Sequence, residues 1–197
     1  MQSLARNIST EASASSLAKD TSSDQETVAE YIEALERLMV VEPLPVWNTH
    51  IRSADTLRKA PKRHFTDPSL AVGALGLSVG KLKTDLNYFG MLFESLVIRD
   101  LRIYAEANDG KVYHYRDSRD MEVDAIIEYP DRKWAAFEIK MGFSAQDEAA
   151  KNLLAFSKKI NQEKMGPPAA LTVITANGAA CRRKDGVNVV PLSVLTA

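Results

Sequence analysis

Residues 137 to 141 read Phe-Glu-Ile-Lys-Met, and within them Glu138 and Lys140 have the types and spacing to do chemistry. In a β-strand successive side chains alternate faces, so this carboxylate and ammonium project from one side, roughly 6.6 Å apart along the chain. Trp134, Phe137 and Ile139 flank them and predict a strand inside a sheet core, where an uncompensated charge is expensive. Two readings follow: the charges neutralise each other, or they serve a site.

The elements that must hold this strand are legible as periodicity. Residues 86–107 carry Phe89, Leu92, Phe93, Leu96, Val97, Leu101 and Tyr104 at helical spacing, with Glu94 beside the stripe and Asn108-Asp109-Gly110 as the stop. A strand is expected over 111–116, with Tyr113 and Tyr115 on one face and His114 and Arg116 on the other. Two more follow, over 123–129 and 133–141, joined by a turn at Pro130-Asp131. An amphipathic helix over 145–160 (Ala149, Leu153, Leu154, Phe156, Ile160), a buried strand over 171–175, and a last strand over 187–190 before a short helix complete the chain. The order from 86 to 175 is helix, strand, strand, strand, helix, strand.

Glu94 on the first helix, Asp124 within Glu122-Val123-Asp124, and Glu138-Ile139-Lys140 mark that order, and together they resemble the PD-(D/E)XK nuclease superfamily. The resemblance implies an α/β fold, a restriction-endonuclease-like αβββαβ core with a mixed sheet, and Glu94, Asp124, Glu138 and Lys140 as catalytic residues. More narrowly, Gly90–Val97, Tyr113–Arg116, Glu122–Asp124 and Phe137–Lys140 look like the C-terminal region that follows an AAA-type ATPase module in many prokaryotic ATP-binding proteins. That implies an ATPase module as partner. Its Walker motifs have no counterpart here, so the chain is expected to be the C-terminal part of a longer protein.

Phosphodiester hydrolysis calls for a hard divalent cation to neutralise charge and lower the pKa of a bound water, and carboxylates are its natural ligands. On the resemblance, Asp124 and Glu138 share Mg²⁺ or Mn²⁺ with the carbonyl of Ile139, and Glu94 orients a metal-bound water. Lys140 positions or deprotonates the attacking water or stabilises the pentacovalent charge. Arg116, on the strand leading into the site, is a candidate phosphate ligand.

Before this region, residues 4–8, 13–19 and 23–39 read as three short helices, the third opened by Ser23-Asp24-Gln25-Glu26, and 40–46 as extended. Three helices then a hairpin resembles a winged helix-turn-helix, which gives an expected division into 1–60 and 61–197. The third helix carries Glu26, Glu30, Glu33 and Glu36 against Arg37, which suits packing better than contact with phosphates. Asn48 to Ala60 reads as a loop, wing or linker, and residues 62–67 as a strand running into a turn at Pro68. Two motifs between are rejected. Gly76-Leu77-Ser78-Val79-Gly80 fits a nucleophile elbow, but the one downstream histidine, His114, falls too soon for a hydrolase triad. Gly80-Lys81 lacks a phosphate loop's earlier glycine, where Leu75 stands, and its Ser/Thr, where Leu82 stands, so no ATP site is supported.

A single cysteine, Cys181, excludes an internal disulfide framework and makes a reducing cytoplasm the default. No apolar run approaches the length needed to span a bilayer. The net charge of −1 carries no general nucleic-acid signal, yet residues 1–50 hold three basic and eight acidic side chains and residues 141–197 seven and four. A polyanion such as DNA would therefore meet residues 51–90, with seven basic and three acidic side chains, and residues 141–197. Three readings stand: a Mg²⁺-dependent deoxyribonuclease-like domain, an inactive module that binds nucleic acid or couples the ATPase to a partner, and a winged-helix transcription regulator.

Overall fold

The computed structural model of the chain describes residues 1–48 and 60–196. They form two compact units: one from residues up to Pro45 with those from 60 to Arg99, the other from Val46, Trp47 and Asn48 with those from Asp100 onward. The expected loop over Asn48 to Ala60 lies almost wholly outside the described residues.

The first unit opens with α1 (Gln2–Arg6), α2 (Ala14–Thr21) and α3 (Gln25–Arg37), followed by β1 (Val41–Leu44) paired antiparallel with β2 (Lys62–Phe65). Helix α3 begins one residue later than Ser23 suggests. Asp24 is the N-cap, its carboxylate accepting from the backbone N–H of Glu26 and Thr27. The helix buries Val28 and Ile32 against Leu4, Ile8, Leu17, Val41 and Phe65, and leaves Glu26, Glu30 and Glu33 exposed. Pro68 does not make a turn. It is the first residue of α4 (Pro68–Leu75), behind an Asp67 cap, because its fixed φ suits a helix start whose N–H needs no partner. Gly76, at φ +60, stops α4, and Ser78 caps α5 (Val79–Thr84). The Ser78 hydroxyl, which matched a nucleophile elbow, thus caps the start of a six-residue helix.

Helix α6 (Leu86–Glu106) ends in the second unit, where β3 (Lys111–Arg116), β4 (Glu122–Glu128), β5 (Trp134–Lys140), α7 (Gln146–Lys159), α8 (Gln162–Met165), β6 (Ala170–Thr175), β7 (Cys181–Arg182) and β8 (Asn188–Pro191) follow. The result is a mixed α/β fold with one six-stranded sheet, ordered β3-β4-β5-β6-β8-β7. β3, β4 and β5 are antiparallel; β5, β6 and β8 run parallel, and α7 supplies the crossover from β5 to β6. The predicted last helix is a single 3₁₀ turn, Leu192–Val194, and a short edge strand, β7, lies between the last two predicted strands.

Ala149, Leu153, Phe156 and Ile160 put α7 face-down on this sheet. Asp147 and Glu148 in its first turn and Lys158 and Lys159 in its last complement the helix dipole. Under α7 the core is aromatic: Trp134, wholly buried, meets Phe156 edge-on at 5.9 Å between ring centroids and Trp47 at 5.2 Å. Trp47 also donates from Nε1 to Glu128 Oε2 at 2.9 Å. Such a buried indole satisfies its N–H while removing a large apolar area from water.

Candidate active site

β4 and β5 are antiparallel, so the start of one and the end of the other lie at the same edge of the sheet. Asp124 and Glu138-Ile139-Lys140 occupy those two ends. Their ladder stops at Ala125 opposite Phe137, which strands the next N–H, that of Ile139. Asp124 Oδ2 accepts it at 2.8 Å. A side-chain carboxylate therefore replaces a backbone carbonyl as the last rung.

A bulge aims Asp124 at that position. On the other side of β4, Tyr113 pairs with Ile126 but Tyr115 with Val123, so Asp124 and Ala125 together face one step of β3. An extra residue resets the pleat and bends the strand. Val123 and Ile126 both enter the core under α7, which regular alternation would not allow.

Lys140 closes the cluster. Its Nζ lies 2.7 Å from Glu138 Oε2 and 3.2 Å from Asp124 Oδ2, so the two side chains expected on one face of β5 do meet. Glu138 is nearly buried, its side chain 5 % exposed, Asp124 11 % and Lys140 32 %. Burial, and then the charge of Asp124, push the Glu138 carboxyl up to about 7, against the opposing pull of Lys140 and Asn152. Burial works against the Lys140 ammonium, but the two carboxylates outweigh it and hold its pKa above the ordinary lysine value.

Asn152 of α7 is the participant that sequence reasoning missed. Its Nδ2 donates to Glu138 Oε1 at 2.6 Å and to the backbone carbonyl of Glu122 at 2.7 Å. Both acceptors are oxygens that cannot donate, which fixes the amide's orientation and uses both its hydrogens. The sequence signal was a polar residue three positions after Ala149, on the side of the helix that otherwise packs inward.

Two further residues were expected at the site. Glu94 belongs to the first unit, where Lys62 Nζ is 2.9 Å from its Oε1. Arg116 ends β3 opposite Glu122, and its guanidinium contacts Asp120 at 3.3 Å. Among the described residues no three His, Cys, Asp or Glu side chains gather as a metal-binding group. Two carboxylates are nevertheless the protein ligand set that Mg²⁺ commonly uses, the rest being water and substrate phosphate. With one ammonium between them the trio carries a net charge of −1 when ionised, so Asp124 and Glu138 fit a hard divalent cation. No helix among the described residues is long and apolar enough to cross a membrane.

No curated protein and no solved structure matches the chain. Residues 1–81 match one family, described as a domain of unknown function (DUF8612). The second match covers residues 89–195, more than half of the chain, and includes Asp124, Glu138, Lys140 and Asn152; the chain belongs to this family, the domain of unknown function DUF4143.

Proposed function

We propose that the second unit is a PD-(D/E)XK nuclease-like domain that hydrolyses DNA phosphodiesters with a divalent metal, as the C-terminal part of an AAA-type ATP-binding protein. The observation that carries the reading is the junction of β4 and β5, where a bulge delivers Asp124 to the backbone of Ile139 within ion-pair distance of Lys140, and Lys140 reaches Glu138. The order of α6, β3, β4, β5, α7 and β6 supports it, as does a family often found in AAA-ATPase-associated proteins. On this reading Asp124 and Glu138 hold Mg²⁺ or Mn²⁺, which supplies charge neutralisation and a water of lowered pKa. Lys140, fully protonated, acts on the phosphate as a fixed positive charge and not as a base. Asn152 keeps Glu138 facing the site, and Arg116 is placed one strand away to take a neighbouring phosphate.

The test is cleavage of plasmid and single-stranded DNA with Mn²⁺ by wild type, Asp124→Asn and Lys140→Ala. Wild-type activity lost in both variants is expected; activity unchanged in both would refute the reading. A second reading, a non-catalytic module that binds nucleic acid or couples the ATPase to a partner, is favoured by Lys140 already pairing with both carboxylates, and wild type inactive with every substrate would select it. For α1–α3 with β1 and β2 we propose a winged-helix-like packing role over a regulator's DNA-reading one. The exposed Glu26, Glu30 and Glu33 would face phosphates with like charge.

A further inference from the structure

We propose that Phe143 is a stacking platform for an unpaired nucleobase, which makes single-stranded or frayed nucleic acid the substrate class of the site; this rests on the phosphodiester reading above. The parallel register of β5 and β6 sets Lys140 beside Thr175. Three residues past each strand's end the neighbourhood continues, Phe143 against Gly178. A Cβ placed on Gly178 would lie 2.5 Å from the Phe143 Cζ and 2.7 Å from its Cε1, and Gly178 has φ +118. The positive φ favours glycine there, and the missing side chain lets the end of the ring lie against the turn. Yet Phe143 is 59 % exposed. An aromatic ring that lies against the turn yet is left largely in water contributes little to the core, and its open face is available to a partner.

Its place says what would cover that surface. Phe143 lies at most about 10 Å along the chain from Lys140, within reach of a nucleotide next to the phosphate at the site. Arg182 and Lys184, on the segment after Gly178, are exposed, and Arg183 ties that segment to the first turn of α7 through Asp147 at 2.6 Å. An exposed ring, with exposed cations on the segment that follows its glycine partner, is a combination that holds single strands, the cations along the backbone and the ring against a base face. In a duplex those faces are covered by neighbouring bases, so the ring gains from a splayed strand alone.

The experiment measures fluorescence anisotropy of a short fluorescein-labelled oligo(dT) strand and of a blunt duplex of equal length, with Ca²⁺ in place of Mn²⁺ to suppress turnover. Wild type, Phe143→Ala and Phe143→Trp are compared. Loss of about 5- to 100-fold in single-strand affinity for Phe143→Ala, with duplex affinity unchanged, is expected. Phe143→Trp should retain binding and show quenching of the introduced indole, the exposed one beside buried Trp47 and Trp134. If wild type binds or cleaves nucleic acid but Phe143→Ala matches it on both probes, the stacking inference falls and the site reading stands. If wild type neither binds nor cleaves either probe, both fall.

Discussion

Replacing Glu138 by glutamine removes a proton-binding equilibrium that the fold holds far from its usual place. The Glu138 carboxyl ordinarily titrates near 4.5 and is pushed to about 7 in the folded chain, by burial and by Asp124. Between those values the native state holds a proton that the unfolded chain has released. Stability must therefore fall as pH rises through the window, by about 1.4 kcal/mol per unit and about 3 kcal/mol in all. Below the window the two states are equally protonated; above it the full loss is in place. Glu138→Gln has no proton to lose. Its single carbonyl oxygen serves only one of the donors, Lys140 or Asn152, so the variant starts about 1 kcal/mol less stable in acid and becomes the more stable protein near pH 8. Urea unfolding followed by the emission of buried Trp47 and Trp134, for both proteins between about pH 5 and 8, gives the difference directly. Titrating groups away from this cluster cancel in it. A difference that stays flat, or moves in wild type's favour as pH rises, would refute the account of a carboxyl strained by burial and by a neighbouring charge. Mn²⁺ added near pH 8 should raise the stability of wild type and leave Glu138→Gln unmoved.

Other sites give independent checks. Asn152→Leu strips the donors from Glu138 and from the Glu122 carbonyl, and a loss of about 1–3 kcal/mol in denaturant unfolding is expected, with weaker stabilisation by Mn²⁺. Burial raises the pKa of Asp117, but Lys159 and the N–H groups of Arg119 and Met121 together bring it down to about 2. Its contribution is thus present above about pH 4 and lost as pH falls to about 2. Asp117→Asn should cost about 1–2 kcal/mol at neutral pH and flatten the acid limb of a stability profile. Gly178→Ala sets a methyl against the Phe143 ring at a backbone angle alanine resists, and should lower stability by about 1 kcal/mol or more while reducing single-strand affinity as Phe143→Ala does.

The strands and long helices were readable because burial writes a period into them. The two-residue period put Glu138 and Lys140 on one face, and the 3.6-residue period placed α7 to within a residue at each end. What escaped depends on a partner distant in sequence. The bulge at Asp124 is a mismatch between β3 and β4, and neither strand shows it alone. Trp47 sits in a proline-rich extended stretch with no period of its own, and its burial comes from Trp134 and Phe156. Asn152 broke the pattern of α7 without naming its acceptor. At Pro68, an Asp-Pro pair reads equally as a turn and as a helix cap with its first residue, and the apolar Leu70 and Ala71 that follow decide for the helix. Glu94 lay correctly on its helix, but a helical period does not reveal that Lys62 would take its charge.

Asp124 fastens two strands, since its carboxylate stands in for the carbonyl that would otherwise end the β4–β5 ladder. On the proposed nuclease reading, inheritance at this position is constrained twice over. A descendant that abandoned catalysis by acquiring asparagine would keep an acceptor for the Ile139 N–H and hence its fold. One that acquired alanine would first need another way to finish the sheet. Loss of chemistry and loss of architecture can diverge here by a single atom, which is why asparagine is the substitution that silences Asp124 without unpicking the strands around it.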